Sequence, residues 1–269
     1  MNKNIGFIGC GNMAQAMLGG IITSKLTEAK NVIVSDPYEA SLIKVKEKYG
    51  LNITQDNLEV AKNSDILVIA VKPNMYVKVI KEVKDVVSDN IIIVTIAAGV
   101  SIETVEKAFG KDMKIIRTMP NTPALVGEGM SVLCYNERIN EEDLAPVVQI
   151  FNSFGKSEIL EEKYMDTIPA ISGSSPAYVF MFIEAMADGA VLQGIPRDKA
   201  YKMAAQAVLG SAKMVLETGE HPGVLKDRVC SPGGTTIDAV YTLEKNNFRG
   251  TVISAMEACT EKAIKMSKK

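Results

Sequence analysis

The chain has no tryptophan, one histidine, four cysteines and a net charge of only -2 over 269 residues. Each scarcity removes a class of function. A single histidine, His221, excludes catalysis or metal binding that needs two. Cys10, Cys134, Cys230 and Cys259 are far apart and form no C-x-x-C pair. That argues against a zinc site and against a disulfide framework, so no metal is expected, and a reducing cytoplasm is the natural setting. The weak net charge gives no electrostatic case for a nucleic-acid partner. Long apolar runs are also missing. The longest are strand-length or broken by charges, so no membrane span is expected. The N-terminal apolar stretch is short and glycine-rich, unlike a signal peptide. Neither a low-complexity linker nor an internal repeat is present.

What is there is an ordinary globular composition, 47% hydrophobic and 23% charged, at a length that suits one or two domains. The most informative segment comes first. Asn4-Ile5-Gly6-Phe7-Ile8 reads as a buried strand, and an amphipathic helical run starts at Met13. Between them lies Gly9-Cys10-Gly11-Asn12-Met13-Ala14, a G-x-G-x-x-A sequence in the strand-to-helix context that a dinucleotide fingerprint needs. Gly9 permits the tight turn, Gly11 lets backbone approach a pyrophosphate, and Ala14 lets the helix pack on the strand. The helix start offers free N–H groups and a positive dipole end.

The first 160 residues alternate strand and helix. Strands are expected at Val32–Ser35, Asp65–Val71, Ile91–Ala97, Lys114–Met119 and Ser131–Tyr135, with helices such as Tyr76–Val87 and Ile102–Phe109 between. Val- and Ile-rich runs of this kind are those of a parallel sheet buried on both faces. After Glu161 strand patterns stop. Pro176–Gln193, Arg197–Thr218, Gly223–Val229, Thr235–Asn246 and Phe248–Lys268 read as helices. The expected division is a doubly wound, dinucleotide-binding α/β domain over 1–160 and an all-helical domain over 161–269. The helical half has little polar surface and many small residues, so its core is expected to be completed by another subunit.

Several positions can carry chemistry. Asp36 ends the second strand, 22 residues after Ala14. An acidic residue there binds ribose hydroxyls and repels a 2′-phosphate, which favours NADH. Asp36-Pro37-Tyr38-Glu39 is equally a helix start, with Asp36 as N-cap, and both readings stand. Ala70-Val71-Lys72-Pro73, Ala97-Ala98-Gly99 and Met119-Pro120-Asn121-Thr122-Pro123 each end a strand along one rim. Lys72 is placed to reach a phosphate or ribose, or is a solvated surface lysine. In the helical half, Cys230-Ser231-Pro232-Gly233-Gly234-Thr235-Thr236 puts a glycine pair and hydroxyls before a helix. N–H groups from Gly234 to Thr236 can cradle a carboxylate, or simply open the helix. Ser172-Gly173-Ser174-Ser175-Pro176 lacks a base beside it and does not read as a nucleophile. His221 reads as a surface loop residue. Glu161 and Glu162 either cap the following helix or face a ligand.

Together these segments resemble pyrroline-5-carboxylate reductase over essentially the whole chain. Ile5 to Met13 is similar to that family's dinucleotide site. Ala70–Pro73, Ala97–Val100 and Met119–Pro123 are similar to its cofactor loops. His221-Pro222-Gly223-Val224-Leu225-Lys226-Asp227-Arg228-Val229-Cys230-Ser231-Pro232-Gly233-Gly234-Thr235-Thr236-Ile237 is the most specific match, and Ser172–Tyr178 also fits. The resemblance implies a Rossmann domain and a helical dimerisation domain, with dimers that often assemble into a ring of five. It implies reduction of a cyclic imine carboxylate to proline by NADPH or NADH. The carboxylate site falls on Ser231, Gly233, Gly234, Thr235 and Thr236, with Thr236 near the imine nitrogen and Glu162 and Ser175 facing substrate. Cofactor contacts fall on Gly9 to Ala14, Ser35, Asp36, Asn57, Ala70 to Pro73, Ala97 to Gly99 and Asn121. Many members carry a small polar residue where this chain has Asp36 and use NADPH, so the cofactor preference stays open. A β-hydroxyacid dehydrogenase-like enzyme shares the architecture but needs a lysine on the first long helix, and Pro176–Gly189 has none. A non-catalytic dinucleotide-binding protein has no need of an intact Ser231–Thr236 loop.

Overall fold

The computed structural model describes residues 1–267. Among them, eight strands form one sheet in the order β3-β2-β1-β4-β5-β6-β7-β8. The elements run β1 (Ile5–Ile8), α1 (Asn12–Thr23), β2 (Val32–Ser35), α2 (Glu39–Tyr49), β3 (Asn52–Thr54), α3 (Asn57–Lys62), β4 (Ile66–Ile69), α4 (Tyr76–Val83), β5 (Ile92–Thr95) and α5 (Ile102–Phe109). They continue with β6 (Lys114–Met119), β7 (Gly129–Tyr135), α6 (Glu141–Asn152), β8 (Gly155–Ile159), α7 (Ser175–Leu192), α8 (Arg197–Thr218), α9 (Pro222–Val229), α10 (Thr235–Lys245) and α11 (Phe248–Ser267). The expected end of the last helix at Lys268 lies outside the described residues.

Alternate residues of the central strands fill two separate cores, one on each face. Ile5, Phe7, Ile66, Val68, Ile92 and Val94 pack beneath α1 and α6. Ile8, Leu67, Ile69 and Ile93 pack with Tyr76, Ile80 and Phe109 of the opposite helices. This is the doubly covered sheet that the apolar strand runs call for. The strand order turns back at β1, between β2 and β4, so ligand is expected at the carboxyl ends there.

Three features depart from the sequence reading. β3 and β8 were not anticipated; both are partly exposed edge strands, and they lack a continuous apolar run. The sheet is also not wholly parallel, because β7 runs antiparallel to β6. Their connection holds only a short 3₁₀ turn, Thr122–Val126, whereas a parallel return needs a dozen residues or more. Finally, the 24 residues Pro169–Leu192, a π-helical turn leading into α7, have mean hydropathy 1.2 and are long and apolar enough to cross a membrane. The expectation that no segment could do so rested on unbroken apolar runs, and two acidic residues, Glu184 and Asp188, hide this one.

Contacts divide the chain into two compact units. One is Met1–Ser174 with the described residues from Cys259 on, and the other is Ser175–Ala258. The sheet unit therefore runs past residue 160. Buried Arg117 and Asn121 reach beyond that point, to Glu162, Asp166 and the Ser172 carbonyl, and hold the segment in place. The helical unit stands apart in its packing. Its buried cluster is three alanines, Ala187, Ala200 and Ala204, from α7 and α8.

Candidate functional site

In the sheet unit the fingerprint turn is built as its glycines require. Gly9 has φ +103°, and a Cβ there would meet the Ala70 carbonyl oxygen at 2.6 Å. Only glycine lets β1 and β4 come this close at their carboxyl ends. Gly11 is the N-cap of α1, makes no side-chain cap, and has open space where a Cβ would point. The first N–H groups of α1, from Asn12, Met13 and Ala14, are thus left without a side-chain acceptor at an approachable helix start. That arrangement fits a pyrophosphate.

Cys10 lies inside this turn. Its N–H donates to Asp36 Oδ2 at 2.7 Å, and its thiol is buried, which pushes its pKa up to about 11. The thiol is therefore a packing group rather than a nucleophile. Asp36 Oδ1 accepts from Tyr38 N at 2.8 Å. The helix-cap reading of Asp36 does not hold: α2 starts at Glu39, its N-cap is Tyr38, and no side chain caps it. Asp36 instead bridges the fingerprint turn and its own loop, because both its oxygens are claimed by backbone N–H groups ahead of the helix. Beside it, buried Ser35 Oγ donates to Asn57 Oδ1 at 2.7 Å, and Asn57 Nδ2 donates to Glu82 at 3.1 Å. Ser35, Asp36 and Asn57 thus meet at the ends of β2 and β3.

Ala70, Val71, Lys72 and Pro73 follow β4, and Lys72 is exposed there. Ala97, Ala98 and Gly99 follow β5, with Gly99 at φ +75°. Asn121 is buried, with Nδ2 donating to the Ser172 carbonyl at 3.0 Å and Oδ1 accepting from Met130 N at 2.8 Å. Its amide is therefore occupied as a strut. Glu162 sits on a 3₁₀ turn, and its Oε1 accepts from Ile102 N at 2.8 Å and from Arg117 at 3.0 Å. It caps the distant α5 rather than the helix that follows it. Arg117 also holds Asp166 at 2.8 Å, and Asp166 accepts from Ser267 Oγ at 3.1 Å. This network went unread in the sequence, although a lone arginine in the apolar strand Lys114–Met119 was the available sign of it.

In the helical unit, α9 ends at Val229 and the loop turns through Gly233, at φ +66°, into α10. Gly234 is the N-cap and no side chain caps α10. The N–H of Gly234 is not available as expected, since it closes a turn onto the Ser231 carbonyl at 3.0 Å. The N–H groups of Thr235 and Thr236 remain as the donors of this uncapped helix start, with the Ser231, Thr235 and Thr236 hydroxyls around them. Ser175 opens α7. His221 caps α9, its Nδ1 accepting from Gly223 N at 3.0 Å, which gives it a structural task. Among the described residues, no three His, Cys, Asp or Glu side chains cluster as a metal site.

A doubly wound sheet with an uncapped fingerprint helix, followed by apolar helices, defines a two-part oxidoreductase of the dinucleotide-binding class. The family model described as NADP oxidoreductase, coenzyme F420-dependent, matches residues 4–99, and the model for pyrroline-5-carboxylate reductase dimerisation matches residues 162–266. The pyrroline-5-carboxylate reductase of Escherichia coli K12 is 52% identical over 268 residues, covering 100% of both chains. That of Arabidopsis thaliana is 42% identical, covering 98% of this chain and 95% of its own. Among solved structures, a pyrroline-5-carboxylate reductase from Coxiella burnetii superposes with a TM-score of 0.94 at 36% identity, covering 100% of each chain. The Plasmodium falciparum enzyme, solved with NADP bound, gives 0.89 at 38% identity, covering 99% of this chain and 98% of its own. The chain belongs to the pyrroline-5-carboxylate reductase family.

Proposed function

We propose that this chain reduces 1-pyrroline-5-carboxylate to L-proline with NAD(P)H, the last step of proline synthesis. The observation that carries the reading is the joint presence of two uncapped helix starts, at α1 and α10, in a chain of this family. Each presents backbone donors to an anion. The first, with Gly9 to Ala14, holds a pyrophosphate, while Ser35, Asp36 and Asn57 hold the adenosine ribose. The turns at Ala70 to Pro73 and Ala97 to Gly99, with the third turn that carries Asn121, line the nicotinamide side. When bound, the nicotinamide supplies a hydride for the imine carbon.

The second helix start holds the substrate. The Thr235 and Thr236 N–H groups and the Ser231 hydroxyl take the carboxylate, with Gly233 and Gly234 keeping the loop open to it. The Thr236 hydroxyl holds the proton at the imine nitrogen. An imine that enters protonated is already electrophilic, so the chain needs no strong acid. Orientation supplies most of the rate. This fits a chain whose one histidine is spent on capping a helix. Glu162 and Ser175 support the substrate side, Glu162 through its hold on α5. The functional division of the chain is 1–160 for cofactor and 161–269 for assembly and substrate.

The chain works as a homo-oligomer of dimers, up to a decamer, in the cytoplasm. The exposed apolar face of Pro169–Leu192 is covered by a second subunit rather than by lipid. The matched dimerisation region, which spans nearly all of α7 to α11, supports this reading. The test is absorbance at 340 nm with pyrroline-5-carboxylate and NADH or NADPH in parallel. Rapid loss with either cofactor is expected. No loss with both overturns the substrate assignment.

A further inference from the structure

The seam between β4 and β5 opens in an unusual way. The two strands pair in parallel, Ile66 with Ile92 through Ile69 with Thr95. Ile92 N donates to the Asp65 carbonyl at 3.0 Å, and the ladder repeats every second residue. The rung due at the carboxyl end is therefore Ile96 N to the Ile69 carbonyl. In its place stands the hydroxyl of Tyr76. Ile96 N donates to Tyr76 Oη at 3.1 Å, and Tyr76 Oη donates in turn to the Ile69 carbonyl. The β1–β4 and β1–β2 seams do not open here. Ala70 N donates directly to the Ile8 carbonyl at 2.8 Å, and Gly9 N to the Ser35 carbonyl at 2.8 Å.

Tyr76 is the first residue of α4, packed in the core and 1% exposed. Burial pushes its phenol well above its ordinary value, so the proton needed for the Ile69 bond is always present. The hydroxyl keeps both backbone groups satisfied while holding the strand ends apart by one oxygen. The turns that leave those ends are Ala70–Pro73 and Ala97–Gly99.

We propose that Tyr76 is a positioning residue: its inserted hydroxyl sets the gap between these two turns, and so the fit of the nicotinamide half of the cofactor. This rests on the reading of both turns as cofactor loops. It assigns a role to a residue that touches no ligand.

The test is Tyr76→Phe in the full-length chain, which keeps the ring and its packing but removes the spacer. Ile96 N and the Ile69 carbonyl are then free to close the rung. Binding of NADH and NADPH, read by nicotinamide fluorescence without substrate, should weaken about tenfold, the upper range for one hydrogen bond. KM for pyrroline-5-carboxylate at saturating cofactor should stay within about twofold, because its contacts lie elsewhere. Unchanged cofactor affinity in a variant with native circular dichroism overturns the proposal. Should the variant fail to fold, the wild type decides. In the cofactor-free protein, the Tyr76 hydroxyl proton should be slow to exchange and show a cross-peak to the Ile96 amide by NMR. Absence of that cross-peak also overturns the spacer. Wild-type protein that binds neither nucleotide would instead refute the cofactor reading, and the spacer's role with it.

Discussion

The two units use similar apolar stock in opposite ways. In the sheet unit Ile5, Phe7, Met17, Ile66 and Phe151 are all fully buried. In the helical unit Phe180, Met181, Leu209 and Leu216 are 62%, 69%, 54% and 83% exposed. A sheet between two helix layers closes its own core within one chain. A few helices packed on three alanines do not, and their remaining apolar surface is an interface. The fold of the first unit is therefore a property of the chain, and that of the second a property of the assembly.

The largest expected effect breaks this contrast directly. Leu209→Glu places a charge on the uncovered face of α8. It should lower subunit affinity by about a thousandfold, because assembly over this face would bury an unpaired carboxylate. Light scattering should show a smaller species, and turnover should fall with it. Ile43→Lys, on the exposed side of α2 in the sheet unit, should change neither mass nor activity. Identical behaviour of the two variants would mean that the helical face is not an interface.

Arg117→Met breaks the sheet unit from within. It strips the guanidinium from Glu162 and Asp166, whose side chains are 36% and 33% exposed, so the loss of two partly solvent-screened charge-assisted bonds costs about 2–3 kcal/mol. The melting temperature should fall by several degrees. The Ala97–Gly99 turn should loosen too, because Glu162 would no longer be held at the α5 N-terminus. Loss of only a degree or two would show that water substitutes for the guanidinium.

How much of this was legible in the sequence follows the same divide. The fingerprint, the central strands and the long helices announce themselves through local pattern, since Val-Ile runs and G-x-G-x-x-A carry their reasons within a few residues. Arg117, Tyr76 and the Asp36–Cys10 bond do not. Each joins residues 20 or more positions apart, in pairs such as Arg117 with Glu162 and Tyr76 with Ile96, and no local period encodes such a meeting. Asp36 shows the difficulty. Its local context spells a helix cap, yet a tertiary partner, the Cys10 N–H, outbids the helix for the carboxylate. Gly234 shows the reverse: a purely local turn onto Ser231 removes a donor that the pattern offers.

Thr236→Ala sharpens the division of labour between the units. If Thr236 holds the imine nitrogen as proposed, its loss should lower kcat about ten- to a hundredfold and raise KM for the imine, because such a hydroxyl acts in the transition state. Cofactor binding, assigned in the proposal to the sheet unit, should be unchanged. Equal loss of cofactor affinity would deny that the two tasks are separate, and wild-type kinetics would remove Thr236 from the mechanism.

The smallest effect concerns Asp36, where charge and geometry must be told apart. Its carboxylate follows β2 and accepts from Cys10 N and Tyr38 N, so it shapes the fingerprint turn, and the proposed cofactor site puts the ribose beside it. A 2′-phosphate brought near it meets like charge, which favours NADH. Asp36→Ser removes that charge and also both hydrogen bonds, since the shorter side chain reaches neither partner as well. It should raise the NADPH to NADH ratio of kcat/KM while weakening both cofactors. Asp36→Asn removes the charge and keeps one acceptor oxygen, so it gives up only one of the two bonds to Cys10 N and Tyr38 N. Relief of the repulsion should raise the ratio about tenfold, the scale of a partly screened pair of charges several ångströms apart. If Asn leaves the ratio unmoved while Ser weakens both cofactors equally, Asp36 is a strut for the turn, and the choice of nucleotide is made elsewhere.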